Sequence, residues 1–118
     1  MLELGSRRRR LPPPPKVVWA SLVDPHLDPS RPWLDLLGDE TEPRILESAE
    51  PGLVVWSSLW PSRPDDVIRF DVEPDGVETG LRWTLLTSGE APDESKLGHL
   101  RFRLNKLLYG GLRGSYGQ

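Results

Sequence analysis

The chain contains no cysteine. Disulfides and thiolate chemistry are thereby excluded, and a reducing, cytoplasmic setting is the expectation. Histidine is scarce: His26 and His99 have no HExxH spacing or cysteine partners, so neither a metal site nor a cofactor is expected. No apolar run approaches the ~20 residues of a bilayer span, so no membrane insertion is expected. A surplus of basic charge is missing as well. The formal net charge is −3, and setting aside the four arginines Arg7 to Arg10 leaves −7. So acidic a body argues against nucleic acid as a partner. Ser6-Arg7-Arg8 begins like a twin-arginine export signal, but prolines stand where such a signal needs an apolar stretch.

Proline and glycine are abundant, at 13 and 11 residues, yet they punctuate apolar segments rather than dilute them. Five tryptophans need somewhere to be buried. The 118 residues therefore read as a single folded domain, 1–118, with 1–10 either a first strand or a frayed basic arm. As a regular strand, Met1 to Leu11 would put Leu2 and Leu4 on one face with Arg8 and Arg10, and Leu11 on the other with Arg7 and Arg9.

Pro15 to Val23 has Val18, Trp19 and Leu22 on one side of a short helix that Asp24-Pro25 stops. His26 to Pro32 is a loop. Trp33 to Leu37 reads as about one helical turn closed by Gly38, followed by a polar linker over Asp39 to Pro43. Four strands follow: Arg44 to Glu50, Leu53 to Trp60, Asp66 to Glu73 and Val77 to Thr87. Pro51-Gly52 and Pro74-Asp75-Gly76 supply turns too short for anything but antiparallel neighbours. From Pro92 to Arg113 the period changes to 3.6, with Leu97, Leu100, Leu104, Leu107 and Leu108 on one stripe. The order β-α-α-β-β-β-β-α makes an α+β domain with its helices on one face of an antiparallel sheet.

This arrangement resembles the helix-grip fold of the START and Bet v 1-like (SRPBCC) superfamily, which includes polyketide cyclase- and dehydrase-like proteins, lipid-transfer domains and Hsp90-activator-like proteins. The residues that carry the resemblance are Leu11-Pro12-Pro13-Pro14 leading into Val18-Trp19 and Leu22, the strand Gly80-Leu81-Arg82-Trp83-Thr84-Leu85, and the long C-terminal helix. The ending Gly98-His99-Leu100-Arg101-Phe102-Arg103-Leu104-Asn105 resembles a small bacterial branch. The resemblance implies a curved antiparallel sheet wrapped around the last helix, with an apolar pocket between them. A small hydrophobic molecule is then the expected partner.

Candidate ligand-binding residues are Trp33, Trp56 and Trp83 for an aromatic lining, and Arg101 and Arg103 at the pocket mouth for an anionic or carbonyl group. The same tryptophans can instead fill a small core, and the arginines can snorkel towards acidic neighbours. No catalytic residue is assigned: His99 lacks a nucleophile or carboxylate at fixed spacing. An enzyme of the cyclase or dehydratase kind is the alternative, using Arg82, His99, Arg101 or Arg103 to orient an enolate. A second alternative is an interaction module with a vestigial pocket, acting through the arginine run or through a homodimer across Phe102 and Tyr109.

Overall fold

The computed structural model describes residues 1–117. Five strands, β1 (Leu2–Leu11), β2 (Ile45–Ala49), β3 (Leu53–Ser57), β4 (Asp66–Asp75) and β5 (Glu78–Thr87), form one antiparallel sheet in the order β1-β5-β4-β3-β2. A short helix α1 (Pro15–Val23) follows β1. The C-terminal helix runs as α2 (Glu94–Asn105), passes into a π-helical stretch over Lys106–Leu112, and ends in a last turn α3 (Arg113–Ser115). Among the described residues, no helix is long and apolar enough to cross a membrane.

Local chemistry accounts for the boundaries. Pro15 occupies the first helical position of α1, where its missing N–H costs nothing. Asp93 is the N-cap of α2: its Oδ1 accepts from the Lys96 N–H at 2.8 Å. Gly76 turns β4 into β5 with φ 64°, a conformation that disfavours any Cβ. Val77, expected to begin the next strand, lies instead in that turn and is exposed.

β4 and β5 alternate as their sequences demand, with Ile68, Phe70, Leu81, Trp83 and Leu85 buried. β1 solves the facing problem that its sequence poses. Its register shifts between Glu3 and Gly5, and this bulge lets both Leu4 and Leu11 reach the core. Beyond it, Arg7 and Arg9 sit opposite Trp83 and Leu81 on the helix side, while Arg8 and Arg10 face away. Arg101 of α2 lies over Gly5, where an added Cβ would come within 2.7 Å of its Nε. Its guanidinium donates to the Leu4 carbonyl at 2.6 and 2.9 Å.

The leucine stripe does face the sheet: Leu100, Leu104, Leu107 and Leu108 are buried and Leu97 half-buried. The helix turn expected over Trp33 to Leu37 does not form. Those residues run irregularly across the C-terminal helix, so the order is β-α-β-β-β-β-α. Five residues are too few to nucleate a helix unaided, and stronger tertiary contacts claim this segment. Trp33 stacks on Trp56 with centroids 6.1 Å apart, and the Asp35 carbonyl accepts from Arg103 at 2.9 Å. The helix passes through the glycine pair Gly110-Gly111, and the bare Gly111 backbone admits the Trp33 carbonyl; a Cβ there would lie 2.6 Å from that oxygen.

Candidate functional site

The space between sheet and C-terminal helix is packed with side chains. Trp56, Trp60, Trp83 and Phe70 are buried within it alongside the leucines. Their polar atoms are satisfied there: Trp56 Nε1 donates to the Leu22 carbonyl at 2.8 Å, and Trp83 Nε1 to Asn105 Oδ1 at 3.0 Å.

An open apolar cleft lies on the far side of α1. It has a volume of about 600 Å³ and is bounded by Val17, Ala20 and Ser21 of α1, by Pro25, Leu27 and Trp33 of the connecting segment, and by Tyr116 beyond α3. It exists because α1 is apolar on two sides. Val18 and Leu22 enter the core, and Val17 and Ala20 are left facing outward. Val17 and Leu27 remain 44% and 58% exposed. The Tyr116 hydroxyl donates to Ser21 Oγ at 2.9 Å and so closes one end of the cleft; burial pushes the Tyr116 hydroxyl pKa up. Asp24, Asp28 and Arg31 form its polar margin.

A second feature adjoins Trp33. Arg103 and Glu40 form an ion pair that is almost wholly enclosed, with 5% and 0% of their side-chain surfaces exposed. Arg103 Nε and Nη2 each donate to a Glu40 oxygen at 2.8 Å. Glu40 also accepts from the Leu37 N–H at 2.9 Å and from Trp60 Nε1 at 3.2 Å. Burial alone would raise the Glu40 pKa. The Arg103 hydrogen bonds, aided by the Leu37 N–H, more than offset this and hold the carboxyl below its ordinary value. The same pairing raises the Arg103 pKa against its own desolvation. With both carboxylate oxygens occupied, the pair is a clasp between the 33–40 segment and the helix. It has no free base to offer a substrate.

The five residues singled out from sequence are therefore not gathered around one cavity. Trp33, 6% exposed, contributes to the cleft and, with Arg103, to a crevice of about 200 Å³ beside it. Trp56 supports Trp33 from behind, Trp83 holds Asn105, and Arg101 ties the helix to β1. Arg82 is exposed, its Nη1 donating to Ser6 Oγ at 3.0 Å. His99 is half-buried, and His26 pairs with Glu42 at 2.9 Å on an exposed loop. Sequence reasoning missed Val17, Ala20, Leu27 and Tyr116. For Val17 and Ala20 the available signal was the apolar surplus of α1, which exceeds what one core-facing stripe requires; Leu27 and Tyr116 lie outside that helix.

No family model matches this chain, nor does any curated protein sequence. Solved structures do. CalU16 from Micromonospora echinospora superposes with a TM-score of 0.66 at 20% identity, over 87% of this chain and 69% of that one. The Aha1 dimer from Colwellia psychrerythraea gives 0.63 at 14% identity, over 91% and 96%. At such identities the likeness is one of fold. It is consistent with the helix-grip architecture, an antiparallel sheet curled around a C-terminal helix.

Proposed function

We propose that this chain belongs to the SRPBCC (START/Bet v 1-like) superfamily and acts in the cytoplasm as a non-catalytic binder of a small apolar molecule. In this reading the molecule occupies the cleft between α1, the 24–33 segment and the end of the C-terminal helix. The observation that carries the reading is the cleft itself. Its volume of about 600 Å³ falls in the range of small-molecule sites, and its walls are mainly aliphatic and aromatic with a few polar groups at the margin. Val17 and Leu27 hold apolar surface in water beside a concavity, and a guest that covers them gains ~25 cal/mol for each Å² removed from solvent. Trp33 is the ligand-facing member of the five sequence candidates. Trp56, Trp83, Arg101 and Arg103 hold the framework in which the cleft is set.

The test is displacement of the dye N-phenyl-1-naphthylamine by fatty acids, aromatic polyketides and terpenoids. One class is expected to displace it at about micromolar concentration. Val17→Glu, at a position already facing solvent, should weaken both dye and competitor by about tenfold. If no class competes and the variant binds dye as the parent does, the cleft is not a binding site.

A further inference from the structure

We propose that the free edge of β1 and the adjoining face of the C-terminal helix dock an acidic, extended segment of a partner protein, which joins the sheet as an added strand. This inference is independent of the apolar cleft. Among the described residues β1 pairs with no strand but β5; the Leu4 carbonyl is taken by Arg101 and the Arg7 carbonyl by Tyr109, and the rest of its other side presents unpaired backbone groups. Alongside runs an open groove of about 870 Å³, walled by all four arginines, Arg7 to Arg10, of the strand and by Phe102, Lys106, Tyr109 and Arg113 of the helix.

The cations in the arginine run differ in status. Arg8 and Arg10, facing away from the helix, are taken up by Glu73, Asp75 and Glu78 at 3.0 to 3.6 Å. Among the described residues, Arg7, Arg9, Lys106 and Arg113 pair with no carboxylate. The acid that lines the groove, Asp75, is already engaged by Arg8 and Arg10. Four unneutralised cations thus concentrate positive potential in one channel of a chain whose remainder is acidic. The wall also carries aromatic surface. Phe102 is 59% exposed, and the Arg9 guanidinium stands 6.0 Å from the centre of the Tyr109 ring.

Spacing and backbone together select the occupant. Arg7 and Arg9 are alternate residues of a strand, ~6.6 Å apart, and alternate side chains of an extended peptide repeat at the same interval. A strand laid beside β1 with acids at every second position sets carboxylates against Arg7 and Arg9 while its backbone pairs the open edge. Nucleic acid would meet the cations but leave the edge unpaired. A second copy joined β1 to β1 would set two four-arginine runs against each other.

Fluorescence anisotropy tests this with a labelled peptide of about ten residues that alternates glutamate with threonine around one phenylalanine. The comparisons are a peptide of the same composition with its glutamates in one block, and a deoxythymidine oligomer of equal charge. The alternating peptide should bind at least about tenfold more tightly than either, and it should slow amide hydrogen exchange along β1. Arg7→Glu with Arg9→Glu should weaken it by about tenfold for each reversed charge, and Lys106→Glu, on the exposed helix face, by about tenfold. Arg44→Glu, an exposed position outside the groove, should leave binding unchanged. Failure of the peptide to bind, equal or tighter binding of either comparison probe, or binding without protection of β1 overturns the proposal. So does a dimer in sedimentation that the Arg7/Arg9 double variant dissociates, because the groove would then belong to a second copy.

Discussion

Removing the Glu40 carboxylate should cost more stability than a typical surface change, because of where its partner is left. Glu40→Ala deletes both oxygens that receive Arg103 at 2.8 Å and strands a guanidinium of which 5% is exposed. Breaking a buried pair from one side typically costs ~3–5 kcal/mol, a large part of the 5–15 kcal/mol that holds a domain together. For a chain of this size that corresponds to a fall in Tm of roughly 12–20 °C. Replacing both partners, Glu40→Leu with Arg103→Met, removes two desolvation penalties along with the attraction, so most of the loss should return. Urea unfolding followed by tryptophan fluorescence, on the parent, Glu40→Leu, Arg103→Met and the double variant, supplies all four corners of the cycle. The pH dependence adds a second check. A carboxyl held below its unfolded value stabilises the fold above that value, and the contribution fades as pH falls from about 4.5 through the lower folded value. Glu40→Gln should flatten this part of the acid limb. Single-variant losses below about 1 kcal/mol, a double variant as unstable as the sum of the singles, or an unchanged acid limb would refute the clasp.

Gly111→Ala should destabilise by about 1–3 kcal/mol because its Cβ would meet the Trp33 carbonyl at 2.6 Å. Gly110→Ala, with nothing within 4 Å among the described residues, should be neutral or stabilising by up to about 1 kcal/mol; equal effects in a thermal melt would discount the Trp33 contact. Both tyrosines should resist ionisation at the ordinary value of 10.0, Tyr109 more strongly, since burial outweighs the groups around it that favour the phenolate. The sign follows: a raised folded pKa gives stability that is present below pH 10.0 and lost as pH rises beyond it. An ultraviolet titration showing both tyrosines ionising freely at that pH in the folded state would contradict their burial. Tyr109→Phe removes a hydroxyl that lies 2.6 and 2.7 Å from the Arg7 and Leu81 carbonyls, and should cost about 1 kcal/mol in urea unfolding.

Local chemistry made much of the fold readable in advance. The alternation of Ile68, Phe70 and Val72, the Pro74-Asp75-Gly76 turn and the leucine stripe each follow from near neighbours in the chain. They determined an antiparallel sheet with a helix lying on it. The candidate site was less legible. Periodicity marks which face of an element is apolar, and it does not distinguish a tryptophan that fills a core from one that lines a cavity. Trp33, Trp56 and Trp83 look alike in sequence, and Trp33 is the one that reaches the cleft.

What the amino-acid order determined by itself was the strands, the first and last helices, the antiparallel pairing of the later strands, and the burial of the leucine row. Those properties depend on residues within a few positions of one another. The tertiary structure alone decided that a bulge rescues both Leu4 and Leu11, that Glu40 meets Arg103 across 63 residues, and that Trp33 displaces a helical turn to pack against Gly111. Each of these contacts joins groups distant in sequence, and its free energy exists only once the chain has closed on itself.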